Sequence, residues 1–132
     1  MVQSGKKEGI LVSKFVIRAI ASGVKFDLRA ANGQTILTSE VYKTEAACRK
    51  GIESVRKNAA AKLEDQTLEP VKNLTNPKFQ LYRDNAGDYR FRLRARNGEI
   101  IATSENYTSH SGCLSGIESV RSNAPEAEIL PE

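Results

Sequence analysis

The amino-acid sequence predicts an α+β fold in which two tandem β-β-β-α-β repeats form one pseudo-two-fold domain, an antiparallel sheet packed by two helices. Three observations lead to this prediction. Most of the chain is written twice, short segments alternate apolar and polar residues, and one segment in each repeat has the apolar spacing of an amphipathic helix. A single unit of about 50 residues would bury only a thin core. We therefore expect the two repeats of this 132-residue chain to share one core.

An internal repeat is the strongest feature of the sequence. Residues Phe26–Ala59 and Phe91–Ala124 align at a constant offset of 65, with 20 identities in 34 positions. Upstream, Lys14-Phe15 matches Lys78-Phe79 at an offset of 64, so the second repeat has one extra residue, which falls within residues 84–88. Exposed hairpin tips tolerate insertions, and the extra residue therefore indicates a turn.

Three strands are predicted at the start of each repeat, in segments rich in β-branched and aromatic residues. In the first repeat they are Phe15–Ile20, Val24–Ala30 and Gln34–Ser39. Asn32-Gly33 indicates a hairpin between the second and third strands, because both residues accept a positive φ. Asn97-Gly98 repeats this turn between the strands Arg90–Arg96 and Glu99–Ser104.

After the third strand the apolar spacing changes to three and four residues, which predicts a helix. In the first repeat this stripe comprises Cys48, Gly51, Ile52, Val55 and Ala59. We expect Thr44 and Ser109 to cap the helix N-termini, and the helices to end near Asn58 and Asn123, since Asn tolerates a left-handed C-terminal conformation. A glycine on the stripe costs about 1 kcal/mol of helix propensity. Because both repeats have one, at Gly51 and Gly116, we expect the helix backbone to lie close to the sheet.

The remaining segments complete the predicted organisation. Residues 1–13 are a flexible tail, residues 14–69 the first repeat, residues 70–77 a proline-bounded linker and residues 78–132 the second repeat. Residues 62–68 and 126–130 are each predicted to form a short last strand.

The residues shared by the two repeats resemble the YegP-like family of small bacterial proteins, in its duplicated form. The resemblance rests on Asn32-Gly33, Ile36, Ser39-Glu40-x-Tyr42 and Gly51-Ile52-x-Ser54-Val55-Arg56-x-Asn58, and on their twins Asn97-Gly98, Ile101, Ser104-Glu105-x-Tyr107 and Gly116-Ile117-x-Ser119-Val120-Arg121-x-Asn123. It covers nearly all of residues 14–124, and it implies that the last strand of each repeat is exchanged onto the other. The family is uncharacterised, so the resemblance implies no catalytic or binding residue.

The chain carries a net charge of +4, which is unevenly distributed. Residues 14–69 contain ten basic and seven acidic side chains, whereas residues 76–132 contain seven and eight. A basic balance permits contact with phosphate or an acidic surface. Because the signs are mixed and no block of like charges occurs, we favour an ordinary solvated surface as the explanation of the charge balance.

One strand of the second repeat is a candidate phosphate-binding element. Alternation places Arg90, Arg92, Arg94 and Arg96 on one face, about 7 Å apart, which is close to the phosphate spacing of a nucleic-acid strand. The first repeat interrupts this stripe with Asp27. Two interpretations stay open: a polar sheet face whose arginines pair with carboxylates across strands, which we favour, and a face that contacts nucleic acid or phosphate.

The other reactive residue types favour structural roles. Cys48 and Cys113 lie on the apolar stripes and are expected to be buried as small apolar residues, and His110 is expected at the surface. The Ser39-Glu40-x-Tyr42 element suits capping and turn formation better than acid/base chemistry. No metal ligand, cofactor-binding residue or catalytic residue is predicted, since the sequence has no Cys-x-x-Cys, phosphate-binding loop or nucleophile elbow.

The sequence therefore favours a non-enzymatic binding or interaction module whose partner is a protein of unknown identity. The alternative is a nucleic-acid- or phosphate-contacting protein that uses the arginine strand, and an enzyme comes third. No apolar run is long enough to span a bilayer, and no apolar segment of a secretory signal follows the first lysines. We expect a cytoplasmic protein that has no membrane partner or cofactor and is monomeric through its internal duplication.

Overall fold

The computed structural model describes residues 12–131, which form eight strands and two α-helices in the predicted order. The elements are β1 Lys14–Ile20, β2 Gly23–Arg29, β3 Thr35–Ser39, α1 Glu45–Asn58, β4 Lys62–Asp65, β5 Lys78–Arg83, β6 Tyr89–Arg94, β7 Ile100–Ser104, α2 His110–Asn123 and β8 Glu128–Pro131. The extra residue of the second repeat lies in the β5–β6 turn, as predicted. Residues 1–11 of the predicted tail lie outside the described residues, so the tail stays a prediction.

All eight strands join one sheet in the order β4-β5-β6-β7-β3-β2-β1-β8. The last strand of each repeat lies at the outer edge of the other repeat, β4 beside β5 and β8 beside β1, which confirms the exchange that the resemblance implies. The sheet is mixed rather than antiparallel throughout, because both exchanged strands pair in parallel. Parallel neighbours need a crossover of about a dozen residues or more, and residues 66–77 provide it between β4 and β5.

A pseudo-two-fold axis passes through the middle of the sheet. The third strands of the two repeats, β3 and β7, pair antiparallel with Thr38 opposite Thr103, and these two residues are equivalent in the repeats. On either side, Leu37 lies opposite Ser104 and Ser39 opposite Ala102. The α+β fold with two related halves is therefore confirmed.

Both helices pack on one face of the sheet and share a single core with it. Four fully buried phenylalanines, two from each repeat, belong to this core: Phe15, Phe26, Phe79 and Phe91. Within each repeat the two rings meet edge-on, with centroids 5.8 and 6.0 Å apart, an arrangement that aromatic pairs favour. One cluster of buried residues includes both repeats, so they share the core.

The Asn32-Gly33 hairpin forms where predicted, but of its two residues only Gly33 has a positive φ, of 88°. Asn32 instead accepts a hydrogen bond through its side chain from the Gln34 N–H at 2.9 Å, a local interaction that favours Asn in turns. The register of the strand pair shifts beside the turn. This bulge accompanies the burial of two consecutive residues, Ile36 and Leu37.

The helices begin as predicted and end at the predicted residues for a different reason. Thr44 and Ser109 each accept a hydrogen bond from the backbone N–H three residues further on. Asn58 and Asn123 end the helices, but no residue other than glycine has a positive φ in the described chain, so the left-handed conformation was the wrong prediction. Each asparagine amide instead donates to the backbone carbonyl four residues earlier.

Each helix has a glycine on its apolar stripe because a tyrosine ring packs against the helix backbone at that position. A Cβ added to Gly51 would lie 2.7 Å from Cζ of Tyr42, and one added to Gly116 would lie 2.7 Å from Cζ of Tyr107. In the first repeat the Tyr42 ring stacks on Phe26, with 6.4 Å between centroids. The predicted close approach of helix and sheet therefore takes the form of a tyrosine ring packed directly against the helix backbone.

Each exchanged strand is attached to the helix of the other repeat by one arginine. Arg56 Nη2 of α1 donates to the carbonyl of Ala127 at 2.6 Å, just before β8. Arg121 Nη2 of α2 donates to the carbonyl of Ala61 at 2.8 Å, just before β4. Each guanidinium also lies over the buried phenylalanine of the first strand in its own repeat, 5.6 or 5.4 Å from the ring centroid. We call Arg56 and Arg121 the clamp arginines.

Candidate functional site

The sheet face opposite the two helices, which we call the open face, carries the alternate side chains of the strands. Its residues include Lys14, Val16, Arg18, Lys25, Asp27, Arg29 and Thr38 in the first repeat, Lys78, Gln80, Tyr82, Arg90, Arg92, Arg94 and Thr103 in the second, and Lys62, Glu64, Glu128 and Leu130 from the exchanged strands. Nine of these side chains are basic and three are acidic. The open face is therefore strongly basic, although the whole chain is only mildly so.

Three of the four candidate arginines lie on the open face. Arg90, Arg92 and Arg94 alternate along β6 with fully buried core residues. Because β6 ends at Arg94, the fourth candidate, Arg96, lies in the following turn, where it is exposed and lines a cleft of about 410 Å³ together with residues of α1. The predicted stripe of four is therefore a stripe of three.

Arg90 is neutralised within the chain. Its Nε donates to Asp84 Oδ2 at 2.8 Å, and its Nη1 donates to the carbonyl of Ser104 at 3.1 Å. The hydrogen bond from Arg90 lowers the pKa of the Asp84 carboxyl. This arginine has the carboxylate partner that the sequence leads us to favour for a polar sheet face.

Arg92 and Arg94 share one neutral acceptor. Both Nε atoms donate to the same oxygen, Oε1 of Gln80, at 2.8 and 2.6 Å. The Arg92 guanidinium also lies over the Tyr82 ring, 4.3 Å from its centroid, and Arg94 Nη1 donates to the carbonyl of Gly98 at 2.7 Å. Within residues 12–131, no carboxylate lies within ion-pair distance of either arginine. Two like charges are thus held side by side with no counter-ion from the described part of the chain.

The acceptor Gln80 is held in turn by Glu64, a carboxylate that is 1% exposed. Gln80 Nε2 donates to Glu64 Oε2 at 2.7 Å, and Lys78 Nζ donates to Glu64 Oε1 at 2.6 Å. The Leu74 N–H and Gln66 Nε2 donate at 2.8 and 2.9 Å. Burial raises the pKa of Glu64, but these four hydrogen bonds lower it by more, and the resulting pKa is about 2. Glu64 is therefore ionised and fully bonded at neutral pH.

The first repeat has a different set of residues at the equivalent places. Asp27, which is 3% exposed, stands where the second repeat has Arg92. It accepts hydrogen bonds from Arg18 at 3.0 Å, from Arg29 at 3.1 Å and from the Thr38 hydroxyl at 3.1 Å. Burial raises the pKa of Asp27, but these partners lower it below its ordinary value. The first repeat therefore has an internal carboxylate where the second has an additional cation.

A groove of about 470 Å³ crosses the pseudo-two-fold axis on the open face. It is lined by equivalent residues of both repeats: Thr38 and Thr103, Ser39 and Ser104, Glu40 and Glu105, Lys25 and Arg90, together with Arg18 and Val41. Arg92 pairs in register with Thr103, so the groove adjoins the arginine pair. A ligand on β6 would therefore lie beside it.

The serines of the two Thr-Ser-Glu segments are used by the fold. Ser39 Oγ accepts from the Phe26 N–H at 2.9 Å and donates to the carbonyl of Glu40 at 2.7 Å. Ser104 makes the same two bonds in the second repeat. These contacts match the predicted role in turn formation.

The cysteines and the histidine are placed apart from the open face. Cys48 and Cys113 are free and fully buried, as predicted, and burial raises the pKa of the Cys113 thiol to about 12. His110 is less exposed than expected, since its Nε2 lies 2.6 Å from Asp65 Oδ2 at the end of β4. Among residues 12–131, no group of three or more His, Cys, Asp or Glu side chains is arranged to hold a metal ion.

Sequence reasoning misses Gln80 and Glu64, which position the arginine pair. A signal for Gln80 exists in the alignment of the repeats, because Gln80 stands where the first repeat has Val16, which is apolar. The corresponding residue for Glu64 is Leu130, as the strand pairings show. Polar residues in one repeat and apolar residues in the other therefore mark the place where the two open-face halves differ.

Fold and open face together define a class of protein: a duplicated α+β domain with exchanged strands and a basic sheet face. The family model described as a domain of unknown function, DUF1508, matches residues 21–65 and 84–130. The chain belongs to the DUF1508 family, and both repeats match it.

The chain is also similar to curated UPF0339 proteins and to solved structures. One UPF0339 protein, from Pseudomonas aeruginosa, is 34% identical over 123 residues, covering 92% of this chain and 99% of the relative. Another, from Methanosarcina acetivorans, is 60% identical over 53 residues, which make up 40% of this chain and 91% of that relative. The latter has the size of a single repeat.

The fold matches the solution NMR structure of yegP from E. coli, described as a protein of unknown function, with a TM-score of 0.74 and 29% identity, covering 93% of this chain and 95% of that one. The YegP-like resemblance is therefore confirmed. A UPF0339 protein from Shewanella oneidensis matches with a TM-score of 0.72 and 29% identity, covering 90% of each chain. Among residues 12–131, neither α-helix has the length and hydropathy that a membrane-spanning helix needs.

Proposed function

We propose that this protein is a non-enzymatic, cytoplasmic binding module that holds single-stranded nucleic acid on the open face of its sheet. The observation that carries the proposal is the pair Arg92 and Arg94, which within residues 12–131 has no carboxylate partner and shares the neutral oxygen of Gln80 as acceptor. Guanidinium groups without a counter-ion attract phosphate, and arginine suits it through its planar fork of donors.

The shape of the open face favours an extended strand of phosphates. Neighbouring arginines on β6 are about 7 Å apart, close to the phosphate spacing of a single strand. The groove of about 470 Å³ lies next to them, and its lining is mixed in charge: Lys25, the paired arginines Arg18 and Arg90, and the carboxylates Glu40 and Glu105. Tyr82 lies beneath Arg92, so the guanidinium rather than the tyrosine is available for stacking on a base.

Structural use of the reactive side chains supports a role without catalysis. Ser39 and Ser104 are bonded to the backbone, and the thiols of Cys48 and Cys113 are buried with raised pKa values. A turnover abolished by single changes at Ser39 or Glu40 would argue for an enzyme instead.

Salt-dependent binding tests the proposal. We expect fluorescence anisotropy to detect binding of a labelled oligothymidylate, with the logarithm of affinity falling linearly with the logarithm of salt concentration. Each phosphate contact contributes a slope of about −0.7 for single strands. Arg92→Ala and Arg94→Ala should therefore each weaken binding and make the slope shallower by about 0.7.

Arg29→Ala provides the matched control, because Arg29 is the first-repeat equivalent of Arg94 and already pairs with Asp27. It removes the same charge from the same face and should leave the slope nearly unchanged. Equal slopes for the original chain and both test variants would overturn the proposal. Capture of a protein partner from native lysate that survives nuclease treatment, with no oligonucleotide binding, would favour the protein partner that the sequence leads us to expect.

A further inference from the structure

We infer that Glu64 and Gln80 build Arg92 and Arg94 into an anchor for a single phosphate group of the bound strand. This inference rests on the proposed function and deepens it, because it assigns one point of the open face to one chemical group. Glu64 and Gln80 are positioning residues, and the two arginines touch the ligand.

The first step is the orientation of the Gln80 amide. An ionised carboxylate only accepts hydrogen bonds, so Glu64 Oε2 must face the NH₂ group of Gln80, 2.7 Å away. The amide oxygen then points to the opposite side, where it accepts from Arg92 and Arg94. Gln80 is only 5% exposed, so this orientation is held by buried contacts.

The second step concerns the donors that remain. Each arginine bonds to Gln80 through Nε, the atom nearest the stem. Both terminal nitrogens of Arg92 and Nη2 of Arg94 have no hydrogen-bond acceptor in the part of the chain that the structure describes. Three donors on two adjacent guanidiniums thus remain for an oxyanion, and charge-assisted hydrogen bonds of this kind are the strong ones.

The third step is the comparison with the first repeat. There Asp27 supplies a carboxylate that Arg18 and Arg29 bond directly, so the anion belongs to the chain. In the second repeat the equivalent residue is Arg92, and residues 12–131 supply no carboxylate beside it, so the place of the anion is left for a ligand. The residues equivalent to Gln80 and Glu64 on the other half of the sheet are also apolar. They are Val16, in β1, and Leu130, in the exchanged strand β8.

A charge-conserving variant separates positioning from charge. Gln80→Val installs the residue that the first repeat has at this place and leaves every charge intact. We expect it to weaken oligothymidylate binding by about tenfold or more, because the two arginines lose their common acceptor. The double variant Glu64→Leu with Gln80→Val recreates the apolar pair of the first repeat, and the circular dichroism spectrum of each variant shows whether the fold is retained. The double variant raises the net charge, so general electrostatics predicts tighter binding, whereas the anchor predicts weaker binding.

Inorganic phosphate serves as the second probe, observed through the Arg92 and Arg94 Nε–Hε resonances in NMR spectra. In the original chain we expect both resonances to shift on titration with phosphate. In Gln80→Val we expect neither resonance to shift over the same range of phosphate concentration. An oligothymidylate with a neutral methylphosphonate backbone should bind at least about tenfold more weakly than the natural one.

The outcomes distinguish the two proposals. If the natural oligothymidylate binds and both Gln80 variants bind it as tightly as the original chain, the anchor is wrong while the nucleic-acid interface stands. If inorganic phosphate shifts both resonances but no oligonucleotide binds, the anchor is supported and the nucleic-acid function is wrong. If neither probe acts on Arg92 or Arg94, both are overturned.

Discussion

Replacing Glu64 with leucine is expected to lower the free energy of unfolding by about 3–5 kcal/mol, the cost of removing one partner from a buried ion pair. The carboxylate is 1% exposed and accepts four hydrogen bonds. Without this carboxylate, Lys78 Nζ has one acceptor fewer, and the Leu74 N–H and the Gln80 NH₂ group lose the acceptor that they have in the folded chain. Urea unfolding at pH 7, followed by circular dichroism, measures the change.

Two controls make this result specific. Glu45→Gln breaks an exposed pair with Arg49, and it should change the stability by no more than about 0.5 kcal/mol. The double variant Glu64→Leu with Gln80→Val should lose less stability than the two single variants lose together, because the effects of substitutions at residues in contact do not add. The two new side chains also match Leu130 and Val16, their equivalents in the first repeat. Additive losses would contradict the network.

The same residue makes stability depend on acid. The pKa of Glu64 falls from 4.5 to about 2 on folding, so its contribution is fully present above pH 4.5 and is lost as the pH falls through 2. The difference corresponds to about 3 kcal/mol. Between pH 5 and pH 2 the original chain should therefore lose stability more steeply than Glu64→Leu. Parallel curves would show that Glu64 is not the group responsible.

Replacing the clamp arginine Arg121 with methionine should cost about 2 kcal/mol, because a charged donor to the Ala61 carbonyl is lost while most of the apolar stem is kept. The local loss of stability should also appear in the repeat that does not contain the changed residue. Since Ala61 precedes β4, hydrogen exchange should accelerate in β4 of the first repeat although the changed residue lies in the second. Arg56→Met should accelerate exchange in β8 in the same way.

Glu118→Gln is the matched control for this experiment. Glu118 pairs with Arg121 but is 67% exposed, so its loss should change stability by no more than about 0.5 kcal/mol. Faster exchange confined to α2 in Arg121→Met, with β4 unchanged, would show that the arginine does not hold the exchanged strand.

The architecture follows from the sequence because it depends on local and repeated patterns. Alternation predicts Phe26 and Leu28 as core residues, and the helical stripe predicts Ile52 and Val55; all four are fully buried. Asn58 shows the limit of a local rule, since it ends the helix through a side-chain bond that propensity for a left-handed conformation does not anticipate.

The candidate site is less accessible to sequence reasoning because its parts are distant in the chain. Arg92 is recognisable from the alternation, but its acceptor Gln80 and the carboxylate behind it, Glu64, meet only when β4 crosses to the edge of the other repeat. The prediction that Arg96 belongs to the arginine stripe is wrong for a different reason. The alternation of polar and apolar residues continues in the sequence after the strand has ended at Arg94.

A structure of this protein with a bound oligothymidylate tests the central claim, that the open face holds a phosphate-bearing strand at Arg92 and Arg94. We expect the strand to lie along β6, with one phosphate within hydrogen-bond distance of the terminal nitrogens of both arginines, and Gln80 still bonded to both Nε atoms. A strand bound on the helical side, or on the open face with both arginines unengaged, would contradict it.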